Sequence, residues 1–218
     1  MIQAIVFDFD GLILDTETAE FGAWQEIYCE CGVELSLDLW IQCVGTDSGF
    51  DPYEDLGTRM GKGMDREAIS VKSRANYQRL IAKELLRPGV TDYLSAAKQL
   101  GLSIGLASSS KREWVTGYLS QFGILDYFDC IKVKEDVAKV KPDPELYIQV
   151  VQGLNLQPHN VIAFEDSPNG ARAAVAAGLH CVIVPNFVTR TFPFDAYDLR
   201  LDSMKEKSLE EVLQRFNH

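Results

Sequence analysis

Residues 2–11 have the sequence IQAIVFDFDG. Residues 2–7 are nearly continuous in apolar, β-favouring side chains, which is typical of a strand buried on both faces, as in a parallel sheet. Asp8 continues this strand directly. A strand of this kind with an acidic residue at its carboxyl end predicts an α/β protein that carries polar chemistry at that end.

Apolar runs of the same kind return later in the chain, and helical patterns alternate with them. Alternation of strand and helix favours a doubly wound, Rossmann-like parallel-sheet core. We therefore expect the α/β fold class. The further predicted strands cover 102–107, 130–133, 160–164 and 180–184.

The segment 15–87 breaks this alternation, because it contains no convincing strand pattern. About seventy residues are long for a single crossover, although helices that simply pack on the sheet are the alternative. We expect a helical cap domain at 15–87, inserted into a catalytic core formed by 1–14 and 88–218. Two apolar stripes at helical spacing support it: Phe21, Trp24, Tyr28 and Cys31, and then Ala68, Val71, Ala75, Ile81 and Leu85.

Composition narrows the class of protein. The chain has 218 residues, 46% hydrophobic residues and a net charge of -11, which disfavours a diffuse grip on nucleic acid or anionic lipid. Cys29 and Cys31 could suggest a metal site, but no second Cys/His pair accompanies them. The five cysteines therefore favour free thiols in a reducing cytosol. No apolar run approaches the ~20 residues that span a membrane. We expect a cytoplasmic protein, a monomer or weak oligomer, whose partner is a small molecule.

The stretch DFDGLILDT, at residues 8–16, carries three acidic residues at or near the end of the buried strand. Such a cluster is costly without a cation. A solvated loop with helix-capping acids would explain Asp15. It fails for Asp8, because this residue continues an apolar strand.

Three further motifs lie where predicted strands end, and ligands bind there in open α/β sheets. Ser108 and Ser109 open a predicted helix. Free N–H groups at a helix start can hold phosphate, although simple N-capping of the helix by serine is the alternative. Lys141, before a proline, can place an ammonium over the sheet end, although a surface lysine is the alternative. Glu165 and Asp166 offer the oxygen ligands that Mg²⁺ prefers.

The order of these motifs, DxDG, then serine, then Lys-Pro, then Glu-Asp, resembles the haloacid dehalogenase-like superfamily. Within it, the chain is similar to the phosphatase and β-phosphoglucomutase-like branch, which has a helical cap after the first strand. The resemblance implies that Asp8 is the nucleophile and Asp10 the general acid/base. It also implies Mg²⁺ held by Asp8, the Asp10 backbone carbonyl and Asp166, with Glu165 acting through a water.

The resemblance further implies how substrate is held. Ser108, the backbone of Ser109 and Lys141 would bind the phosphoryl oxygens, and Thr16 would sit at the hinge between core and cap. In the cap loop, Gly45 and Thr46 would contact substrate. Residues 189–218 carry no family motif, but Ser208 and Glu211 have the spacing of a capping box for a closing helix.

The expected function is Mg²⁺-dependent hydrolysis of a small phosphate monoester through an aspartyl-phosphate. Three alternatives differ from this function in the residues they require. A dehalogenase would lack Asp10 and Gly11. A β-phosphoglucomutase-like mutase would have a histidine at position 20, where this chain has Glu20, and a basic residue within 46–50. A receiver-like phospho-acceptor, which is not an enzyme, would have no cap and no use for Asp10.

Overall fold

The computed structural model describes residues 1–42, 50–61 and 65–217. Within them, six strands form one parallel sheet in the order β3-β2-β1-β4-β5-β6. The α/β fold class is therefore confirmed. The strands are β1 (Ala4–Phe7), β2 (Ser103–Ala107), β3 (Cys130–Lys132), β4 (Val161–Glu165), β5 (His180–Ile183) and β6 (Leu199–Arg200).

Helices lie between the strands and after the last of them. Within the described residues, five lie between β1 and β2, and the other four follow β2. They are α1 (Thr16–Glu30), α2 (Leu37–Trp40), α3 (Pro52–Met60), α4 (Arg66–Ile81), α5 (Val90–Gln99), α6 (Arg112–Gln121), α7 (Glu145–Gly153), α8 (Pro168–Ala176) and α9 (Leu209–Gln214).

The sheet has an apolar layer on each face. Ile5 and Phe7 of β1 belong to one buried cluster, whereas Ala4 and Val6 belong to the other. Because successive side chains of a strand point to opposite faces, a continuous apolar strand fills both layers at once. This is why β1 can occupy a central position, with β2 and β4 on its two sides.

The helices α1–α4 surround an apolar cluster of their own, built around Trp24, Tyr28 and Trp40. The two connections to the rest of the chain run side by side. Leu14 and Leu86 form an isolated antiparallel bridge, and the backbone N–H of Arg87 donates to the carbonyl of Ile13 at 2.9 Å. This pairing places the N-terminal end of α1 beside the carboxyl end of β1.

Two local features differ from the sequence prediction. Strand β6, with only two residues and no apolar run, was not predicted. Helix α6 begins at Arg112 and not directly at Ser108 and Ser109. Instead, the N–H of Ser110 donates to Ser108 and its carbonyl accepts from Lys134. The capping box of α9 is confirmed.

Across residues 1–42, 50–61 and 65–217, every helix is too short or too polar to span a bilayer.

Candidate active site

Three acidic side chains meet at the carboxyl edge of the sheet. Phe7 of β1 pairs with Phe164 of β4, so Asp8 and Glu165 leave the sheet at the same level. Asp166 follows at once. Each of the three is buried, and one carboxylate oxygen from each lies within 4.8 Å of the others.

Lys141 supplies the cation of this cluster. Its ammonium donates to Asp8 Oδ1 at 2.5 Å, to Glu165 Oε1 at 2.6 Å and to the carbonyl of Ala107 at 2.8 Å. The side chain is only 6% exposed. Burial lowers the pKa of Lys141, but Asp8 and Glu165 more than offset this and raise it, so the group stays charged.

The cluster carries more negative than positive charge. Three carboxylates and one ammonium leave two negative charges when all are ionised. Burial raises the pKa of Asp8 well above its usual value, and Lys141 only partly opposes this. Burial, together with Asp8 and Glu165, raises the pKa of Asp166 in the same way. The protein therefore needs a cation or protons at this place.

Asp166 is oriented by the loop that follows β5. The Asn186 side-chain amide donates to Asp166 Oδ2 at 2.8 Å. Gly11 has a φ of +81°, and a Cβ there would lie 2.2 Å from the same oxygen. The glycine of the DxDG motif is thus required both by its backbone conformation and by the approach of Asp166.

Glu165 is fully buried, and its carboxylate is hydrogen-bonded to other side chains of the protein. Its Oε1 accepts from Lys141 and from the Tyr147 hydroxyl, the latter at 2.5 Å. A Cβ on Gly170 would lie 2.0 Å from the Glu165 carboxyl carbon, so α8 can pass this carboxylate only with glycine at that place. Glu165 is therefore fixed mainly by its contacts with Lys141 and Tyr147.

Asp10 lies at the edge of the cluster and is only partly buried. Ser108 Oγ donates to Asp10 Oδ2 at 3.3 Å, and the Trp114 indole N–H donates to Asp10 Oδ1 at 2.9 Å. Both carboxylate oxygens thus have a protein donor. Ser108 is fully buried, and its oxygen also accepts from the N–H of Ser110.

A cavity of about 600 Å³ opens onto this cluster. Thr16, Glu17 and Glu20 of α1 and Tyr77 of α4 line one side of it. Thr16 is buried, and within the described part of the chain its hydroxyl has no hydrogen-bond partner. The core contributes Asp8, Asp10, Ser109, Ser110, Lys141, Asp166 and Arg172, among others.

Glu17 has the environment of a protonated acid. Burial, followed by the nearby charges of Glu20, Asp10 and Asp15, raises its pKa to about 8. Burial likewise raises the pKa of Tyr77, so its phenol is a neutral donor at pH 7. The cavity therefore presents hydroxyl and carboxyl groups beside Asp10.

Glu17 should make the metal-free protein less stable as pH rises. A group with a raised pKa binds a proton more tightly in the folded state, so its stabilisation is present below about pH 4.5 and is lost towards pH 8. We expect Glu17→Gln to remove part of the decline, raising the melting temperature at pH 8 by ~2–4 °C over the wild type. Thermal unfolding in EDTA between pH 5 and 8.5 measures this. The exposed Glu67→Gln is the control, and an unchanged slope for Glu17→Gln would contradict the assignment.

The acidic cluster fits a divalent cation. Asp8, Glu165 and Asp166 present carboxylate oxygens, which hard cations bind, and the net charge of the cluster matches an ion of charge +2. These residues can therefore hold a metal ion.

The structure brings together most of the residues predicted for the site. Asp8, Asp10, Lys141, Glu165 and Asp166 form one cluster, and Ser108 contacts it through Asp10. Thr16 and Ser109 line the cavity. Gly45 and Thr46 lie outside the described residues.

Sequence reasoning missed side chains that contact the acidic residues, among them Asn186, Trp114 and Tyr147. Asn186 follows the apolar run of β5, so its place at a strand end was a usable signal. Trp114 lies in the first turn of α6, and Tyr147 lies in the apolar pattern of α7. Nothing in their local sequence marks these two aromatic residues as polar donors.

The chain is similar to known proteins over most of its length. The family model for haloacid dehalogenase-like hydrolases matches residues 5–184. YhcW of Bacillus subtilis is 49% identical over 217 residues, covering 100% of this chain and 99% of that protein. The phosphorylated carbohydrates phosphatase of Thermotoga maritima is 30% identical, covering 82% of each chain. The crystal structure of CbbY from Rhodobacter sphaeroides in complex with phosphate has a TM-score of 0.71 and 31% identity, covering 94% of this chain and 96% of that one.

The chain therefore belongs to the haloacid dehalogenase-like hydrolase family, as its motifs predicted. A β-phosphoglucomutase of Clostridium difficile is among the similar solved structures, and phosphatases are among the similar sequences, so the phosphatase and β-phosphoglucomutase-like branch is confirmed as well. The protein is an enzyme that acts on phosphate esters.

Proposed function

We propose that this chain is a Mg²⁺-dependent phosphatase that hydrolyses monophosphate esters of small polyhydroxy compounds, such as sugars and polyols, through an aspartyl-phosphate at Asp8. The observation that carries the proposal is the buried Asp8 carboxylate, which Lys141 holds at 2.5 Å on the floor of a cavity beside Asp10. Residues 15–87 would form the cap domain over that cavity, with 1–14 and 88–218 as the catalytic core.

The first step would be attack of an Asp8 oxygen on phosphorus. The bond from phosphorus to the ester oxygen breaks, and the leaving alkoxide takes a proton from Asp10. Lys141 would offset the charge that gathers on the phosphoryl oxygens, and the Ser109 backbone would help to orient them. Ser108 would act mainly through Asp10, because its hydroxyl is already directed there.

The second step would be hydrolysis of the aspartyl-phosphate. Asp10, now ionised, takes a proton from water, and the resulting hydroxide oxygen attacks phosphorus. The bond from phosphorus to Asp8 breaks, so inorganic phosphate and the free carboxylate are regenerated. One molecule of ester and one of water thus give one alcohol and one phosphate.

Mg²⁺ would be held by Asp8, Asp166 and the backbone carbonyl of Asp10, where it would neutralise phosphoryl charge. Asn186 would keep Asp166 in its orientation through the 2.8 Å hydrogen bond. Glu165 would act through a water and, above all, by holding Lys141.

The walls of the cavity support this substrate class. Glu17, Glu20 and Tyr77 line the cavity, and carboxyl and phenol groups bind hydroxyls well. A second phosphate there would meet acidic side chains. The name of the Thermotoga relative, a phosphatase of phosphorylated carbohydrates, supports this class.

A mutase of the β-phosphoglucomutase type is less well supported by the same cavity. Such an enzyme must bind a second phosphate of its intermediate. Arg172 also lines the cavity, but its guanidinium is paired with Asp195 at 3.0 Å. Hydrolysis is therefore the better proposal.

A panel of phosphate esters would test the function. We expect hexose and hexitol monophosphates to release phosphate with Mg²⁺, and sugar bisphosphates to react at least about tenfold more slowly, a selectivity of ~1.4 kcal/mol. EDTA should abolish turnover, and added Mg²⁺ should restore it. Activity that survives EDTA would contradict the metal role, transfer of phosphate within a sugar would favour the mutase, and no turnover of any ester would favour a phospho-acceptor.

A further inference from the structure

Asp10 is held by a donor that its proposed role does not require. The indole N–H of Trp114 donates to Asp10 Oδ1 at 2.9 Å, while Ser108 approaches the other oxygen at 3.3 Å. An indole has one N–H and no acceptor, so it can only donate, and the direction of that bond is fixed by the ring plane. The indole of Trp114 therefore fixes the position of Asp10 Oδ1.

The ring itself is held from two sides. Tyr118, four residues further along α6, packs edge-on against it with centroids 4.7 Å apart. Tyr77 stacks on it with centroids 6.2 Å apart and an angle of 24° between the planes. Tyr118 belongs to the same helix as Trp114, whereas Tyr77 comes from α4, in the segment inserted after β1. The orientation of the indole thus depends on where α4 lies.

We propose that Trp114 is a positioning residue for the acid/base group Asp10, and that its stack on Tyr77 couples the placement of α4 to the direction of the Asp10 carboxylate. The inference rests on the proposed function, because it assumes that Asp10 protonates the leaving group. When α4 lies as in this structure, the indole N–H holds Asp10 at the mouth of the cavity. When α4 moves away, one of the two contacts that fix the indole is lost.

The physical demand behind this proposal is geometric. A general acid must come within hydrogen-bond reach of the leaving oxygen, and small misplacements of catalytic groups are costly. Asp10 is only partly buried, and its carboxylate is held by the hydrogen bonds from Trp114 and Ser108. If Trp114 only packed against its neighbours, phenylalanine could replace it, because phenylalanine is also aromatic but has no N–H to donate to Asp10.

The test is Trp114→Phe, measured on two esters. A hexitol monophosphate has a poor leaving group that needs a proton, whereas nitrophenolate leaves nitrophenyl phosphate without one. We expect kcat for the hexitol ester to fall ~10–100-fold with KM within about twofold. The pre-steady-state burst of nitrophenolate, which reports only the transfer to Asp8, should change less than about threefold, because that step needs no acid.

Three further variants make the result specific. Tyr118→Phe keeps both rings beside the indole and should match the wild type on both esters. Tyr77→Ala removes the ring from α4 and should share the selective loss of kcat on the hexitol ester. Tyr77 also lines the cavity, so Tyr77→Phe, which removes only the hydroxyl, is compared with it, and the loss of kcat should be severalfold larger in Tyr77→Ala. Equal losses in these two variants would assign the effect to the hydroxyl and overturn the coupling. A loss of equal size on both esters in Tyr77→Ala would overturn the coupling to α4.

The outcomes separate this inference from the proposed function. If the wild type turns over phosphate esters and Trp114→Phe keeps its kcat on the hexitol ester, or loses both activities equally, the positioning role is wrong. If the wild type itself shows neither burst nor turnover, the proposed function fails and this inference fails with it. Thermal unfolding of each variant, expected within ~3 °C of the wild type, excludes a collapse of packing as the cause.

Discussion

Asp8→Asn is expected to abolish turnover of phosphate esters and to leave a folded protein. An amide cannot act as the nucleophile, so we expect a loss of about five orders of magnitude or more. Stability should not fall, because the change removes one of three buried carboxylates that repel one another. Burial raises the pKa of Asp8, so its charge costs folding free energy in the metal-free protein as pH rises, and asparagine carries no such cost.

Two measurements check this prediction. Turnover of a hexose monophosphate with Mg²⁺ gives the activity, and thermal unfolding in EDTA at pH 8 gives the stability, which should equal or exceed that of the wild type. Asp143→Asn, in the loop before α7, is a control that changes an Asp outside the cluster. Retained turnover in Asp8→Asn would rule out Asp8 as the nucleophile.

Lys141→Met should impair both activity and stability. Without the ammonium, Asp8 and Glu165 lie side by side in a buried place with no cation between them. Removing one partner of a buried ion pair costs ~3–5 kcal/mol, and loss of a charge that stabilises the transition state costs ~10²–10³ in kcat. The carboxylates can take up protons instead, so the destabilisation should be larger at pH 8 than at pH 5.

A double variant separates the two effects of Lys141. In the double variant Lys141→Met with Glu165→Gln, the carboxylate at position 165 is replaced by a neutral amide. The oxygen of this amide can still accept from the Tyr147 hydroxyl. We expect most of the lost stability to return while kcat stays low. Thermal unfolding and turnover of both single variants and the double variant give the coupling energy. If Lys141→Met alone is as stable as the wild type at pH 8, the ion pairs of Lys141 do not stabilise the fold.

The acidic residues of the site were predictable because they lie next to strong local patterns. Asp8 follows an apolar strand, and Glu165 and Asp166 stand at the point where the β4 pattern meets the Ser167-Pro168 helix start. In a parallel sheet, such ends meet at one edge. The proximity of these residues could therefore be inferred before any distance was known.

The side-chain contacts of Ser108 and Glu165 were harder to predict. Each was expected to face the phosphoryl group or the metal through its side chain. In the structure Ser108 contacts Asp10, and Glu165 accepts from Lys141 and Tyr147. Which partner a buried polar group chooses depends on all donors within about 3 Å, and most of these come from distant parts of the chain.

The N-terminal strand and the acidic residues that follow it show which features depend on local sequence and which depend on tertiary structure. The sequence by itself determined the α/β class, the carboxyl edge as the place of the site and the identity of its acids, because strand periodicity and strand ends are local properties. Only the tertiary structure decided that Trp114 and Tyr77, 37 positions apart, meet over Asp10. Contacts of that kind depend on how α4 packs against α6, and no local pattern encodes the meeting of two distant helices.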